Sequence, residues 1–280
     1  MEVEGEQFLR DQESLRERLN SLRVASPLRV VTGVVHPSGV TGMHVPSAAD
    51  WTLSLPLMAW RLNGDVIRQS TLVLHQLTTL YRVEEIRKSL EAYQLVRVRA
   101  RVALEPEMGS PYGLIEQFLE PNPKDAALQQ LASDLHTPVL RHETPFGELV
   151  LDRCYGWFVC KAAWNGPPIE VRLSIDESGS CDASLKIARG LWENQASWER
   201  RVRDKIEESL FQIKNDHWLD EGQKPVTAEE FRSLLSIESV TTNPDGTFEF
   251  WCNDGDLFWG HSISVAGDLV KGCYRATLEG

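Results

Sequence analysis

Several features that would assign this sequence to a familiar class are missing. No run approaches the roughly 18 uncharged apolar residues that a membrane-spanning helix requires. The N-terminus, Met1-Glu2-Val3-Glu4-Gly5-Glu6, is acidic and leads into a charged helical pattern, so it does not resemble a signal peptide. With no export signal, we expect a cytoplasmic protein whose five cysteines, which include no Cys-x-x-Cys pair, remain reduced.

Motifs for cofactors and catalysis are missing as well. The chain has no P-loop, no G-x-G-x-x-G, no G-x-S-x-G, no H-E-x-x-H and no paired Cys/His zinc spacing. A nucleophilic cysteine would need a neighbouring base, and the local sequence supplies no convincing one. We therefore expect no cofactor and no metal, and we favour a binding protein over an enzyme.

Basic residues are too few for a general nucleic-acid binder. The chain has 29 Lys+Arg against 41 Asp+Glu, a formal charge of −12. Phosphate backbones and anionic lipid both attract basic side chains, so nucleic acid and membranes are disfavoured as partners. Residues 216–280 carry twelve acidic and four basic residues, a charge of −8, which favours a basic protein partner.

The N-terminal half, residues 1–140, predicts an OB-like β-barrel preceded by a helix over residues 5–22. Alternating apolar residues and turn signals predict these elements in order: strand Leu28–Val35, strand Trp51–Leu62, strand Val66–Leu74, helix Tyr81–Ala92, strand Leu95–Leu104, strand Tyr112–Leu119 and helix Lys124–Leu135. Three strands, a helix and two strands is the order of an OB-fold, a small five-stranded barrel.

The C-terminal half, residues 146–280, predicts an α+β domain. The polar segment His142-Glu143-Thr144-Pro145 is the predicted boundary. Three strands precede a long helical region over Ala183–Leu219, and a capping box begins a short helix at Thr227 before the strands return. This order predicts helices packed on a largely antiparallel sheet.

An acidic segment near the C-terminus is the densest group of chemistry-bearing side chains. Asp254 and Asp256 stand two residues apart across Gly255, and with His261 they could hold a hard cation if the chain doubles back. The same Asp-Gly pair, which lies between the runs Phe248–Cys252 and Leu257–Val265, is typical of a tight hairpin turn before the predicted strand Ser262–Val265. The sequence favours the turn, and a metal-dependent enzyme is the alternative.

Asp216 and His217 lie at the end of the long predicted helix. In three dimensions they could converge with Asp254, Asp256 and His261 as an acid/base or metal cluster. Spacing along the sequence does not establish such a cluster, and a buried structural network is the preferred interpretation.

Tryptophan is frequent, with nine residues, of which seven lie in the second half. Most are expected to fill the core. Trp164-Asn165 and Trp259 lie beside predicted turns, where an indole can be exposed to a partner and act as a contact hot spot. These residues are the candidate protein interface.

Three arginines alternate along the fourth predicted barrel strand. Arg97, Arg99 and Arg101 share one side of the strand, opposite a row of apolar side chains. On an OB-fold such a row could follow a phosphate backbone. The preferred interpretation is a solvated strand face paired with glutamates.

The C-terminal half also carries an ordered set of short motifs. They are Phe146-Gly147-Glu148-Leu149, Trp164-Asn165-Gly166, Leu210 with Lys214-Asn215-Asp216-His217-Trp218, Thr227 with Glu230-Phe231, and Asp254-Gly255-Asp256-Leu257-Phe258-Trp259-Gly260-His261. Together they resemble a bacterial family known as domain of unknown function 2262, and the last motif is the most specific. The resemblance implies a bacterial cytoplasmic protein and brings no established activity. The N-terminal half is similar to the uncharacterised module that often precedes that domain.

Three functional hypotheses follow. The first is a non-enzymatic protein-binding module of immunity or anti-toxin type, which the acidic tail and the tryptophan-rich turns favour. The second is a metal-dependent enzyme, and the third is an OB-type nucleic-acid binder. The sequence does not determine the partner, the oligomeric state, or whether the two halves share a site.

Overall fold

The chain divides into two compact units, Met1–Thr137 and Pro138–Gly280. A computed structural model describes residues 2–45, 48–106 and 110–279, and it describes side chains from residue 10 onward, residue 11 excepted. No helix in these ranges is both long and apolar enough to cross a membrane.

The first unit contains a barrel with three helices around it. Its elements are α1 (Glu2–Ala25), β1 (Leu28–Val35), β2 (Thr41–His44), β3 (Trp51–Leu62), β4 (Leu72–Thr78), α2 (Leu80–Ser89), β5 (Leu95–Ala103), β6 (Tyr112–Pro121) and α3 (Ala126–His136). Strand order β1-β5-β6-β4-β3 closes on itself through the β1–β3 pairing. Only β4 and β6 pair in parallel among these strands. The predicted five-stranded barrel is therefore confirmed.

The barrel interior follows the predicted alternation. On β5, Val96, Val98 and Ala100 are buried inside, while the intervening arginines face outward. Helix α2 contributes Val83 and Ile86 to the same apolar core. The short strand β2, which pairs with β3 at the sheet edge, has no counterpart in the sequence prediction.

The predicted strand Val66–Leu74 is wrong in its position. Asn63 and Gly64 do form the predicted turn, with φ of 45° and 86°. The chain then makes a single bridge, in which Trp60 and Arg68 exchange backbone hydrogen bonds of 2.9 and 2.7 Å. Regular pairing with β3 resumes only at Leu72, so the strand is β4.

The second unit is one eight-stranded sheet with helices packed against it. Its elements are β7 (Leu140–Glu143), β8 (Gly147–Asp152), β9 (Trp157–Ala163), β10 (Pro168–Ser174), α4 (Asp182–Trp192), α5 (Gln195–His217), α6 (Ala228–Leu234), β11 (Ser236–Thr242), β12 (Thr247–Asn253), β13 (Ser262–Asp268) and β14 (Gly272–Glu279). The strand order is β14-β13-β12-β11-β10-β9-β8-β7. Only β10 and β11, which the three helices separate along the chain, pair in parallel. The predicted α+β class is confirmed, and the predicted boundary segment 142–145 lies in the β7–β8 hairpin.

The core of the second unit lies between the sheet and its helices. Alternate β12 side chains, including Phe248 and Phe250, are buried against the apolar stripe of α5. That stripe, formed by Trp198, Val202 and Ile206, has the predicted helical spacing. Burial of this stripe anchors α5, and it thereby fixes where the last turn of α5 lies.

Candidate functional site

The acidic segment forms an eight-residue loop, residues 254–261, between β12 and β13. The connection is longer than the predicted tight hairpin: the Leu257 N–H donates to the carbonyl oxygen of Asp254 at 3.2 Å, closing a turn, but β13 begins only at Ser262. Leu257 and Phe258 are instead buried in the core of the second unit. The loop is therefore held by side-chain burial rather than by strand pairing.

Asp254 acts as the organising residue of this loop. Its side chain is buried, and its two carboxylate oxygens accept the backbone N–H of Asp256 (3.1 Å) and of Phe258 (2.6 Å). Gly255 has φ of 60°, and a Cβ there would lie 2.5 Å from the carbonyl oxygen of Leu234. Asp254 is thus committed to the backbone, while Asp256 is exposed.

Four rings meet where this loop contacts the end of α5. We name this group the aromatic corner: Trp218, Phe258, Trp259 and His261. The ring centroid of Trp218 lies 4.8 Å from Trp259, 5.0 Å from His261 and 5.6 Å from Phe258. Phe258 is buried, and it also packs edge-on against Phe231 of α6 at 6.2 Å.

The position of Trp218 is set by hydrogen bonds at the end of α5. Asn215 exchanges two of them with the backbone of Val226, at 3.2 and 2.9 Å. The buried Lys214 donates from Nζ to the carbonyl oxygen of Trp218 at 2.5 Å. Sequence reasoning missed Trp218 as a site residue, because only its neighbours carried titratable side chains.

The end of α5 and the loop 254–261 do converge, as the sequence suggested, but the contacts between them are made by aromatic rings and not by the acidic side chains. Asp216 is exposed and accepts a hydrogen bond from Gln212 of its own helix at 2.8 Å, and His217 is exposed. His261 lies with Nδ1 2.6 Å from the carbonyl oxygen of Phe258, an arrangement in which Nδ1–H donates. Throughout the described ranges, no three His, Cys, Asp or Glu side chains are grouped so that they could hold a metal ion.

Trp259 is the exposed member of the aromatic corner. Its side chain is 60% exposed, and its φ of 56° lies in the left-handed region. A bulky residue in that region costs on the order of 1–3 kcal/mol. A hairpin does not require this conformation at a tryptophan, so the loop presents an exposed indole at a cost in backbone strain.

Trp164 does not offer an exposed indole, contrary to expectation. It is only 3% exposed and packs edge-on against Trp192 at 4.9 Å, within the core of the second unit. Asn165 has φ of 48° and is exposed, and its Nδ2 donates to Glu199 of α5 at 2.5 Å. The hydrogen bond ties this turn to the helix, and it leaves Trp259 as the exposed indole of the proposed interface.

The arginine row, Arg97, Arg99 and Arg101, lies on the outer face of β5. Arg97 pairs with Glu120, and Arg101 pairs with Glu116 at 3.0 Å. Arg99 has, among the described residues, only a weak hydrogen bond to Gln117, at 3.4 Å. Two of the three charges are therefore neutralised by neighbours on β6.

Part of the outer barrel face that OB-folds use for ligands is also covered. Leu19 and Leu22 of α1 are buried against Leu114 of β6, together with Leu77 of β4. On β4, His75 is buried, and this burial lowers the pKa of its imidazole to about 4. The imidazole is therefore neutral at pH 7 and adds no positive charge to this face.

Three cysteines of the second unit, Cys160, Cys252 and Cys273, are poor nucleophiles. Burial raises the pKa of the Cys160 and Cys273 thiols to about 11 and that of Cys252 to about 12. Thiols with such pKa values are protonated at neutral pH, and only the thiolate attacks.

Comparison with known proteins finds one uncharacterised family model that matches within each unit. A crystal structure of wild-type single-stranded DNA binding protein from Thermus aquaticus matches with a TM-score of 0.25 and 14% identity, covering 52% of this chain and 72% of that chain. No curated protein matches. The family described as "Uncharacterized protein conserved in bacteria (DUF2262)" matches residues 143–278, and the "Domain of unknown function (DUF7021)" matches residues 21–135. The N-terminal part of the chain is thus similar to DUF7021, and the predicted resemblance of its C-terminal half to DUF2262 is confirmed.

Proposed function

We propose that this chain is a non-enzymatic protein-binding module, and that the aromatic corner receives a basic segment of its partner. The observation that carries the proposal is Trp259, an exposed indole held in a left-handed backbone conformation and tilted against Trp218, with ring centroids 4.8 Å apart. Tryptophan is the residue type most enriched among interface hot spots.

The corner is held rigid before any partner arrives. The Asp254 carboxylate fixes the loop backbone, and buried Phe258 anchors it to the core. A rigid aromatic side chain loses little conformational entropy when it is covered, so most of its contact energy appears as affinity. This preorganisation supports binding rather than a purely structural role for the loop.

The chemistry of the corner suits a cationic side chain. Lys and Arg are attracted to the face of an indole ring, and the attraction grows when water is excluded. Asp256 is exposed on the same loop, and residues 216–280 carry a charge of −8. The proposed partner is therefore a basic protein, as a toxin bound by an immunity or anti-toxin protein would be.

Replacing Trp259 with alanine should reduce capture of that partner by about tenfold or more, since hot-spot truncations cost at least about 2 kcal/mol. The measurement is a pull-down from lysate of the native cell, at low and moderate salt, with captured proteins quantified by mass spectrometry. Tyr155→Ala is the matched control, because Tyr155 is equally exposed but lies in another loop, and it should change nothing. Recovery of no basic protein, or equal capture by the Trp259→Ala variant, would reject the proposal.

The chain should not bind single-stranded nucleic acid through the arginine row. Fluorescence anisotropy with a labelled oligonucleotide at low salt should show no saturation up to about 100 μM protein, the weak end of non-specific binding. The reason is neutralisation by Glu116 and Glu120, so the double variant Glu116→Gln/Glu120→Gln should gain affinity. Saturable binding by the unmodified chain that is lost in Arg99→Gln would support the nucleic-acid hypothesis instead.

A further inference from the structure

A groove of about 480 Å³ lies between α5 and the hairpin that joins β13 to β14. Its charged lining consists of Arg201, Lys205, Asp204 and Glu208 from α5 and Lys271 from the hairpin, with Cys273 beside them. Three cations thus line one concavity of a strongly acidic protein. The groove is separate from the aromatic corner and independent of the function proposed for it.

The two carboxylates in the groove are already engaged. Asp204 pairs with Arg232 of α6, at 2.9 Å, and Glu208 pairs with Lys205, at 2.9 Å. Within the part of the chain that the structure describes, Arg201 forms no ion pair and no hydrogen bond. Its charge is therefore not compensated by a protein acceptor.

Arg201 is nevertheless held in place. Its guanidinium lies 4.7 Å from the ring centroid of Trp198, a cation–π contact. Trp198 is buried and packs edge-on against Phe248 at 5.3 Å, so the platform beneath the guanidinium is rigid. Because no protein acceptor in the described residues takes up the guanidinium N–H groups, they are available to a ligand.

Of the other two cations of the groove, Lys205 pairs with Glu208 at 2.9 Å, whereas Lys271 is only loosely paired. Lys271 is 78% exposed, and its Nζ lies 3.8 Å from Asp268, whose Oδ1 also accepts the backbone N–H of Val270 and Lys271. Arg201 and Lys205 are four residues apart on α5, where like charges repel. An anion between these groups would relieve the repulsion.

We propose that this groove binds the phosphate group of a small molecule. Arg201 would supply the planar, two-pronged donor that matches phosphate geometry, and Lys205 and Lys271 would act as point charges on either side. The Cys273 thiol, whose pKa burial raises to about 11, stays protonated at neutral pH and adds no opposing charge.

The test is isothermal titration calorimetry of the full chain with sodium pyrophosphate and with inorganic phosphate, at pH 7 and constant ionic strength. We expect saturable binding that weakens about tenfold or more in Arg201→Gln, as loss of a bidentate charged contact requires. Lys271→Gln, at an exposed position that cannot disturb the core, should weaken binding about threefold or more. Arg200→Gln is the matched control, since it removes the same charge from the exposed neighbouring position of α5 and should leave the affinity unchanged.

Three outcomes would overturn the proposal. The first is the absence of a saturable heat of binding with either anion. The second is an equal loss of affinity in the Arg200→Gln and Arg201→Gln variants, which would indicate non-specific electrostatic attraction. The third is binding of a single-stranded oligonucleotide at this groove that pyrophosphate does not compete away, which would assign it to nucleic acid. Any of these outcomes would leave the Trp259 experiment unaffected, because the groove and the aromatic corner share no residue.

Discussion

Replacing Phe258 with alanine should lower the free energy of unfolding of the C-terminal unit by about 3–5 kcal/mol, the usual cost of truncating a buried phenylalanine. The side chain is fully buried, and its ring packs edge-on against Trp218 and Phe231. Alanine would leave a cavity between α5, α6 and the loop, which rigid helices cannot close. Urea unfolding followed by circular dichroism measures the change.

The Trp259→Ala variant is the control for this measurement. Its indole is largely exposed, so its removal should change the free energy of unfolding by less than about 1 kcal/mol. The two adjacent residues would then have different roles, since Phe258 would contribute to stability and Trp259 to binding of the partner. Comparable destabilisation by both variants would mean that Trp259 is a packing residue, and it would weaken the proposed function.

The regular elements of both units could be predicted because their burial repeats along the chain. Apolar residues alternate with arginines along β5 and recur every three to four residues along α5. These periods predict which side chains face the core. Strands β2 and β7 escaped prediction because four residues are too few to establish a period. The pairing of the arginine row with Glu116 and Glu120 matches the preferred interpretation, since facing side chains of neighbouring strands are neighbours in space.

The candidate site was less accessible to sequence reasoning. The Asp254-Gly255 pair suggested a hairpin turn, but Leu257 and Phe258 lie in the core instead of continuing a strand. Whether these residues extend a strand or enter the core depends on α6, whose Phe231 packs against Phe258. The local sequence around Leu257 carries no information about that contact. The approach of Trp218 to Trp259 likewise depends on contacts between segments about forty residues apart in the printed sequence.

Replacing Asp254 with alanine should cost about 3 kcal/mol of unfolding free energy and should also abolish partner capture. The buried carboxylate accepts the N–H groups of Asp256 and Phe258, and each buried donor left without an acceptor costs about 1–3 kcal/mol. Released from these bonds, the loop would no longer hold Trp259 in its left-handed conformation. Urea unfolding and the pull-down, performed on the same preparation, measure the two losses.

Asp256→Asn is the matched control, because Asp256 belongs to the same motif but is exposed, and asparagine tolerates its φ of 63° as aspartate does. It should leave the free energy of unfolding within about 0.5 kcal/mol of the unmodified chain, as exposed substitutions generally do. Its effect on partner capture should shrink as salt rises, since an exposed carboxylate attracts a basic partner through a screened charge. Equal destabilisation by the two variants would contradict the division of labour between a buried carboxylate that shapes the loop and an exposed one that attracts a basic partner. An Asp254→Asn variant narrows the result further, because the amide keeps one acceptor oxygen and should retain part of the stability that alanine loses.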